Sequence, residues 1–196
     1  MVAADSGPLA VHRWPGPLPR DCDGLIVIGI VTPPSTLRHQ ARGLTRTALR
    51  EVLGALLGRD ATSVALDFQP SQPPRVDLPD CPIGLSVSHE AGLSVAAINL
   101  QGPVGVDLLQ VQPVPDWQAL ARDYLGLATA ARLARLSPAS LPLALAEAWT
   151  KMEATSKCLG LPLEEWHADR ERLLARCRTL PLDLPASLAG AVAVGL

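Results

Sequence analysis

Leu25-Ile26-Val27-Ile28-Gly29-Ile30-Val31 is an unbroken apolar run, rich in β-branched residues and bounded by Asp23-Gly24 and Pro33-Pro34. Continuous runs of this length between turn signals predict a buried strand. Ser35 then offers an N-cap for a helix reaching to about Leu57. Leu37, Ala41, Leu44, Ala48, Val52 and Leu56 recur along it at three- and four-residue spacing, and Gly58 stops it. A strand followed by a long amphipathic helix is the unit from which the rest can be read.

Working outward, residues 1–24 are rich in Pro and Gly and predict irregular chain. Residues 63–68 suggest a strand and residues 70–82 a Pro-rich surface crossing. Two strands, 85–88 and 93–100, are expected to be joined by a turn at His89-Glu90-Ala91-Gly92, and a further strand spans 104–111. Helical material over 117–136 breaks at Ser137-Pro138. The helix carrying Glu153 follows and ends at Gly160, with Pro162 just beyond as a stop signal. Residues 172–184 are ambiguous, and 188–196 read as a closing strand. The order strand, long helix, strands thus appears before Gly102 and roughly again after it. The expected fold class is α+β, built of two similar halves, residues 1–101 and 102–196. Clefts between such halves commonly hold ligands.

Hydrophobic residues make up 48% of the chain but aromatics only 3%, so the core has to be assembled from Leu, Val, Ile and Ala. No stretch approaches the roughly 18 to 20 uninterrupted apolar residues of a membrane span. No positive n-region precedes an apolar segment near Met1, so a cytoplasmic protein without a membrane partner is expected. Cys22, Cys81, Cys158 and Cys177 lie far apart without a CxxC or Cys/His pattern, and read as reduced, buried thiols. A net charge of −2 argues against a nucleic-acid binder and leaves any anion site to local clustering.

Several local features carry chemistry. Asp107 sits in Val104-Gly105-Val106-Asp107-Leu108-Leu109, where an unpaired carboxylate is costly. It reads either as a strand-end residue that caps a turn or pairs with an arginine, or as a ligand for a hard cation such as Mg²⁺. Glu153 and Lys157 stand one helical turn apart, either as a surface ion pair or as a carboxylate for the same metal and an ammonium for a phosphate. Arg38, Arg42, Arg46 and Arg50 form a slanting stripe on the first helix with only Glu51 to balance them. Forked donors in that pattern suit a phosphate or an acidic partner. Ser88-His89 offers a hydroxyl and an imidazole at a strand end, and Arg75, in Pro73-Pro74-Arg75, is held by stiff flanking prolines and could approach the same site, or is a solvated loop charge.

In this order and spacing the segments resemble the 4'-phosphopantetheinyl transferase superfamily, in its larger monomeric form. The matching elements are the arginine-bearing helix, Ser86-x-Ser88-His89, Gly105-x-Asp107 and Trp149-x-x-x-Glu153-x-x-x-Lys157 with Gly160. The resemblance spans roughly residues 36–162. It implies two α+β halves about a pseudo-twofold axis, with coenzyme A in the cleft between them. It also implies Mg²⁺-dependent transfer of phosphopantetheine to a serine of an acyl or peptidyl carrier protein, with Mn²⁺ as a possible substitute metal. By the same resemblance Asp107 and Glu153 ligate the metal, and Lys157 meets the coenzyme A phosphates. Ser88, His89, Arg75 and Arg42 or Arg38 would hold the phosphoadenosine end. A monomer would contain the whole cleft.

The chain departs from the family pattern at Leu109, where a second acid usually stands, and at Met152, where a lysine does. Lys151 comes one position early, about 100° around the helix. No acid stands near Ala130, where the family has a glutamate. These changes motivate a second expectation, a non-catalytic homologue that binds coenzyme A or a carrier protein. A third is an α+β domain whose basic helix simply contacts a partner.

Overall fold

In the computed structural model, which describes residues 7–18, 24–69, 72–77 and 82–196, a short strand β1 (His12–Trp14) lies parallel to β2 (Leu25–Val31), the apolar run. Helix α1 (Arg38–Leu57) follows, closed by Gly58 at φ 62°, the left-handed conformation a glycine adopts without a Cβ penalty. Its first turn is capped by Gln40, whose side chain accepts from the Leu37 N–H at 3.2 Å, so the helix starts beyond Ser35. A 3₁₀ turn (Ala61–Ser63) leads to the two-residue strands β3 (Leu66–Asp67) and β4 (Arg75–Val76), which pair with each other. The hairpin of β5 (Gly84–Glu90) and β6 (Leu93–Asn99) completes a sheet of order β1-β2-β6-β5.

The second sheet repeats that connectivity. Strand β7 (Val104–Gln110) leads through α2 (Trp117–Leu120), a π turn (Ala121–Leu125) and α3 (Leu127–Leu133) to the long helix α4 (Leu141–Leu159). Helix α5 (Ala168–Leu174) precedes the hairpin of β8 (Cys177–Pro181) and β9 (Leu188–Gly195), and the sheet order is β7-β9-β8. The series β2-α1-β5-β6 therefore matches β7-α4-β8-β9, with the last strand central in each set. The protein is a mixed α+β fold.

The sheets pack face to face. Val27, Val95 and Ala97 meet Val104, Val106, Leu108 and Val192 between them. Outside the first sheet, Ala48, Leu49, Val52 and Leu53 of α1 cover Ile26, Ile28, Ile30 and Ile98. Outside the second, Ala154 and Cys158 of α4 cover Ala191 and Ala193. Strand β2 is thus covered on both sides, which is why it reads as a continuous apolar run rather than an alternation. Each such Val or Ile contributes roughly 1.5–3 kcal/mol by leaving water.

Several expectations are corrected. Within 1–24, the described residues are not all irregular: β1 joins β2, and Leu9 bridges to Leu182, its N–H donating to the Pro181 carbonyl at 2.8 Å. The segment around Leu9 to Trp14 therefore touches both sheets. His89 is not in the turn but in β5, opposite Ser94; the two-residue turn is Ala91-Gly92, with Gly92 at φ 85°. The helical stretch over 117–136 is broken at Gly126, also φ 85°, where a Cβ would come within 2.6 Å of the Trp166 indole nitrogen. The ambiguous stretch divides into the end of α5 and β8. Cys22, Cys81 and part of the 70–82 crossing lie outside the described residues. Among the described residues no helix is long and apolar enough to cross a membrane.

Candidate functional site

Strand β7 brings Gly105, Asp107 and Leu109 onto one face and Val104, Val106 and Leu108 onto the other. Its glycine is required by α4: a Cβ at position 105 would overlap the Ala154 carbonyl oxygen. Backbone on backbone at that point, the helix delivers its side chains directly over Asp107. Lys157 Nζ donates to Asp107 Oδ1 at 2.7 Å and to the Val106 carbonyl at 3.0 Å. Asp107 is 8% exposed, so this ion pair is largely shielded from water.

Strand β5 supplies the other partner. Ser86 and Ser88 point inward, toward β7. The Val106 N–H donates to Ser86 Oγ at 3.0 Å, and the Leu108 N–H to Ser88 Oγ at 3.2 Å. Ser88 in turn donates to Asp107 Oδ1 at 3.0 Å. The two serine hydroxyls stand where a strand ladder would otherwise join β5 to β7. Both donors fall on Oδ1, and Asp107 Oδ2 makes no hydrogen bond among the described residues.

Glu153, half-buried one turn before Lys157, has no hydrogen-bond or ion-pair partner among the described residues. Burial raises its pKa above the ordinary carboxylate range, and the Asp107 charge raises it further, while Lys157 and Arg170 oppose the shift. Two carboxylates sharing one region, with uncommitted oxygens on each, suit a hard divalent cation that keeps waters or takes ligand oxygens. They are two rather than three: among the described residues no group of three or more His, Cys, Asp or Glu side chains is gathered to hold a metal. Leu109, next along the same face of β7, adds no oxygen ligand.

His89 alternates to the opposite face of β5 from Ser88 and looks toward α1. Its Nδ1 lies 2.7 Å from Ser94 Oγ. Burial first, then the charges of Arg42, Arg38 and Lys157, lower its pKa from 6.5 to about 4, so the ring is neutral at neutral pH. A cavity of ≈ 360 Å³ opens here between Arg42, Arg46, Phe68, Gln72 and His89. The Arg46 guanidinium stands 4.6 Å over the Phe68 ring. Arg38, Arg42 and Arg50 are exposed and make no ion pair among the described residues. Glu51, the one acid of α1, is drawn off by the Trp14 indole, which donates to it at 2.8 Å.

Gln72, Pro74 and Val87 are shared between that cavity and one of ≈ 400 Å³ that Lys157 and Gly160 also line. Lys157 and Gly160 are shared again with one of ≈ 440 Å³ that includes Arg75. The hollows form a row from the arginines of α1 to Lys157, which links them to the carboxylates.

A separate cavity of ≈ 400 Å³ lies on the other side of α4, lined by Tyr124, Lys151, Met152 and Trp166. Lys151 faces it, turned away from Glu153 and Lys157 as its position one residue early requires. The Cys158 thiol is pushed up to about 12 by burial and by neighbouring Cys177, which makes it no nucleophile.

Of the sequence candidates, Asp107, Glu153, Lys157 and Ser88 come together, and Arg38, Arg42 and His89 form a second group with Lys157 between. Arg75 stands beside the row on β4. Ser88 and His89 separate: the hydroxyl belongs to the carboxylates, not to the arginine cavity. Sequence reasoning missed Phe68, Gln72 and Arg170. The lone phenylalanine of the chain, four positions ahead of Gln72, was the available signal for the first two. No protein-family model matches the chain, and no curated protein matches it.

Proposed function

We propose that the protein transfers 4'-phosphopantetheine from coenzyme A to a serine of an acyl or peptidyl carrier protein. The observation that carries this reading is the Lys157–Asp107 contact at 2.7 Å, with uncommitted Glu153 beside it, at the end of a row of cavities that begins at Arg42 and His89. The repeated strand–helix–hairpin connectivity supports the finer architecture, two halves about a pseudo-twofold axis with the ligand between them.

In this reading Arg42, with Arg38 near it, binds the terminal phosphate of the ligand, and the neutral His89 ring donates or accepts a hydrogen bond beside it. Phe68 and Arg46 present flat faces to the base. Lys157 places one positive charge against the diphosphate and offsets the charge that develops on the departing 3',5'-bisphosphoadenosine. Asp107 Oδ2 and Glu153 would hold Mg²⁺ or Mn²⁺, which supplies neutralisation of the diphosphate when bound. Ser88 and Lys157 fix the Asp107 carboxylate through Oδ1 and leave its other oxygen for that role. Glu153, its pKa raised, is suited to receive the proton of the attacking serine.

Incubation with apo carrier proteins, coenzyme A and Mg²⁺ tests the reading. A mass gain of one phosphopantetheine arm on at least one carrier is expected; no gain on any of several overturns transfer. Leu109 and the count of two carboxylates favour a second reading, a non-catalytic homologue that binds coenzyme A. Calorimetry separates them: coenzyme A binding that ignores Mg²⁺, without transfer, supports the binder.

A further inference from the structure

Arg170 is fully buried, at 0% exposure, which is rare for a guanidinium without full pairing. It reaches from α5 beneath α4. Nη1 donates to Glu164 Oε1 at 2.9 Å, and Nη2 donates to Ser156 Oγ at 2.9 Å with Met152 Sδ at 4.0 Å. Its Nε–H is buried with no hydrogen-bond partner among the described residues. Ser156 is committed in both directions, since its hydroxyl also donates to the Met152 carbonyl at 2.9 Å. A buried arginine that leaves a donor unpaired is a poor way to stabilise a fold, because well-packed apolar side chains would do as well. Its value has to lie in what it holds.

What it holds is a particular face of α4. Met152 and Ser156 immediately precede Glu153 and Lys157, and each pair is one turn apart. The helix therefore carries two parallel stripes about 100° apart, one gripped by Arg170 and the other turned to Asp107. The roll of the helix about its axis decides whether Glu153 and Lys157 face Asp107. Gly105 lets α4 approach β7 closely but, having no side chain, cannot set that roll.

We propose that Arg170 is a positioning residue for the cation-binding face: by forking between Ser156 and Glu164 it fixes the rotation of α4 that aims Glu153 and Lys157 at Asp107. This rests on the reading of Asp107 and Glu153 as cation ligands. Loss of the fork weakens divalent-cation binding and leaves the Arg42–His89 cavity, on the other sheet, able to bind coenzyme A.

The test is Mn²⁺ binding by the full chain in the presence of coenzyme A, followed by electron paramagnetic resonance, alongside coenzyme A binding without metal by calorimetry. Arg170→Lys keeps the charge and loses the fork. It is expected to weaken Mn²⁺ binding about tenfold, the scale seen when groups supporting metal ligands are removed, and coenzyme A affinity by a clearly smaller factor, since Lys157 turns with the helix while the Arg42–His89 cavity stays in place. Ser156→Ala, which removes one tine's acceptor and changes little in volume, is expected to shift Mn²⁺ binding in the same direction by a smaller factor. A folded Arg170→Lys protein with the parent's Mn²⁺ affinity overturns the proposal. So does a variant in which both affinities fall by the same factor, since that marks a merely structural role. Should Arg170→Lys not fold, Ser156→Ala decides: an unchanged Mn²⁺ affinity overturns the proposal. A parent chain that binds no Mn²⁺ overturns the cation reading itself, and the positioning role with it.

Discussion

The two halves of the molecule share a connectivity and divide the chemistry. Around α1 the charges are mostly cationic and exposed, with no ion pair to Arg38, Arg42 or Arg50 among the described residues, and the acid that might have balanced them is held by Trp14. On α4 the two charges that face β7, Glu153 and Lys157, are of opposite sign and half-buried, and Lys157 is tied to Asp107. The difference follows from how each helix meets its sheet. Side chains such as Leu49 and Leu53 hold α1 off β2, so its polar face looks outward. Helix α4 lies against β7 at Gly105, so its polar residues fall into the seam between the sheets. One repeated connectivity thus carries an exposed arginine stripe beside one sheet and a half-buried charge cluster beside the other.

The sharpest way to break this division is Asp107→Ala or Glu153→Ala. Either should cut transfer by about a hundred- to a thousandfold, the scale of losing one group that stabilises developing charge, measured by mass spectrometry of the carrier. Full activity in either variant would contradict the assignment of the α4 side. Next in size is a paired glycine test. Gly105→Ala sets a Cβ into the Ala154 carbonyl and should cost roughly 3 kcal/mol in urea unfolding. Gly29→Ala meets side chains alone, Val11 at 2.9 Å and Leu93 at 3.6 Å, and should cost clearly less. Equal penalties would show that the Ala154 carbonyl gives way as easily as a side chain, and that the close approach of α4 is not what requires the glycine.

On the α1 side, Arg42→Ala should weaken coenzyme A binding about tenfold, as expected for one charge-assisted contact. Arg50→Ala, on the same stripe but outside the cavity lining, should change it less than about twofold. A uniform loss along the stripe would favour a diffuse docking surface over a phosphate site.

The smallest effects concern pH. Glu153 is raised above its ordinary value of 4.5, so the folded state disfavours its ionised form and loses stability as pH rises through that region. Glu153→Gln should therefore melt higher than the parent near neutral pH and level with it below that value. His89 has the opposite slope. Its neutral ring is favoured in the fold, so its contribution is whole above 6.5 and is lost as pH falls toward about 4. A phosphate in the cavity opposes that shift, and coenzyme A binding should take up protons between those limits. Calorimetry in buffers of different ionisation heat would register the uptake, and its absence would place the phosphate elsewhere.

Much of this was open to reading in the chain. Apolar runs and helix periodicity located β2, α1, β6, β7, α4 and β9, because each is buried on a face or on both. The carboxylates and the amine were legible because Asp107 is out of place among valines and leucines, and because helical spacing is regular. Position along the strand was harder. Ser88 and His89 are adjacent in sequence, yet the pleat sends them to opposite faces, and the turn lies two residues later than the Ser-His pair suggests. The short pairing of β1 depends on a distant partner and has no local signature. Arg170 could not have been anticipated, since it sits among Ala168, Asp169, Glu171 and Arg172 and looks like any solvated helix residue.

The serine hydroxyls at the seam have a consequence for how copies of this chain meet one another. A strand with unanswered amides invites a neighbour to add on, which is a route to aggregation. Here β5 and β7 turn such edges toward each other, and the hydroxyls of Ser86 and Ser88 answer amides that would otherwise be available. At the far margin of the other sheet, β8 ends in a proline, and Leu9 lies alongside it there. The remaining margin, β1, is three residues long. Replacing those serines with alanine would remove acceptors that shield the β7 amides, and the colloidal behaviour of the purified protein would record the loss.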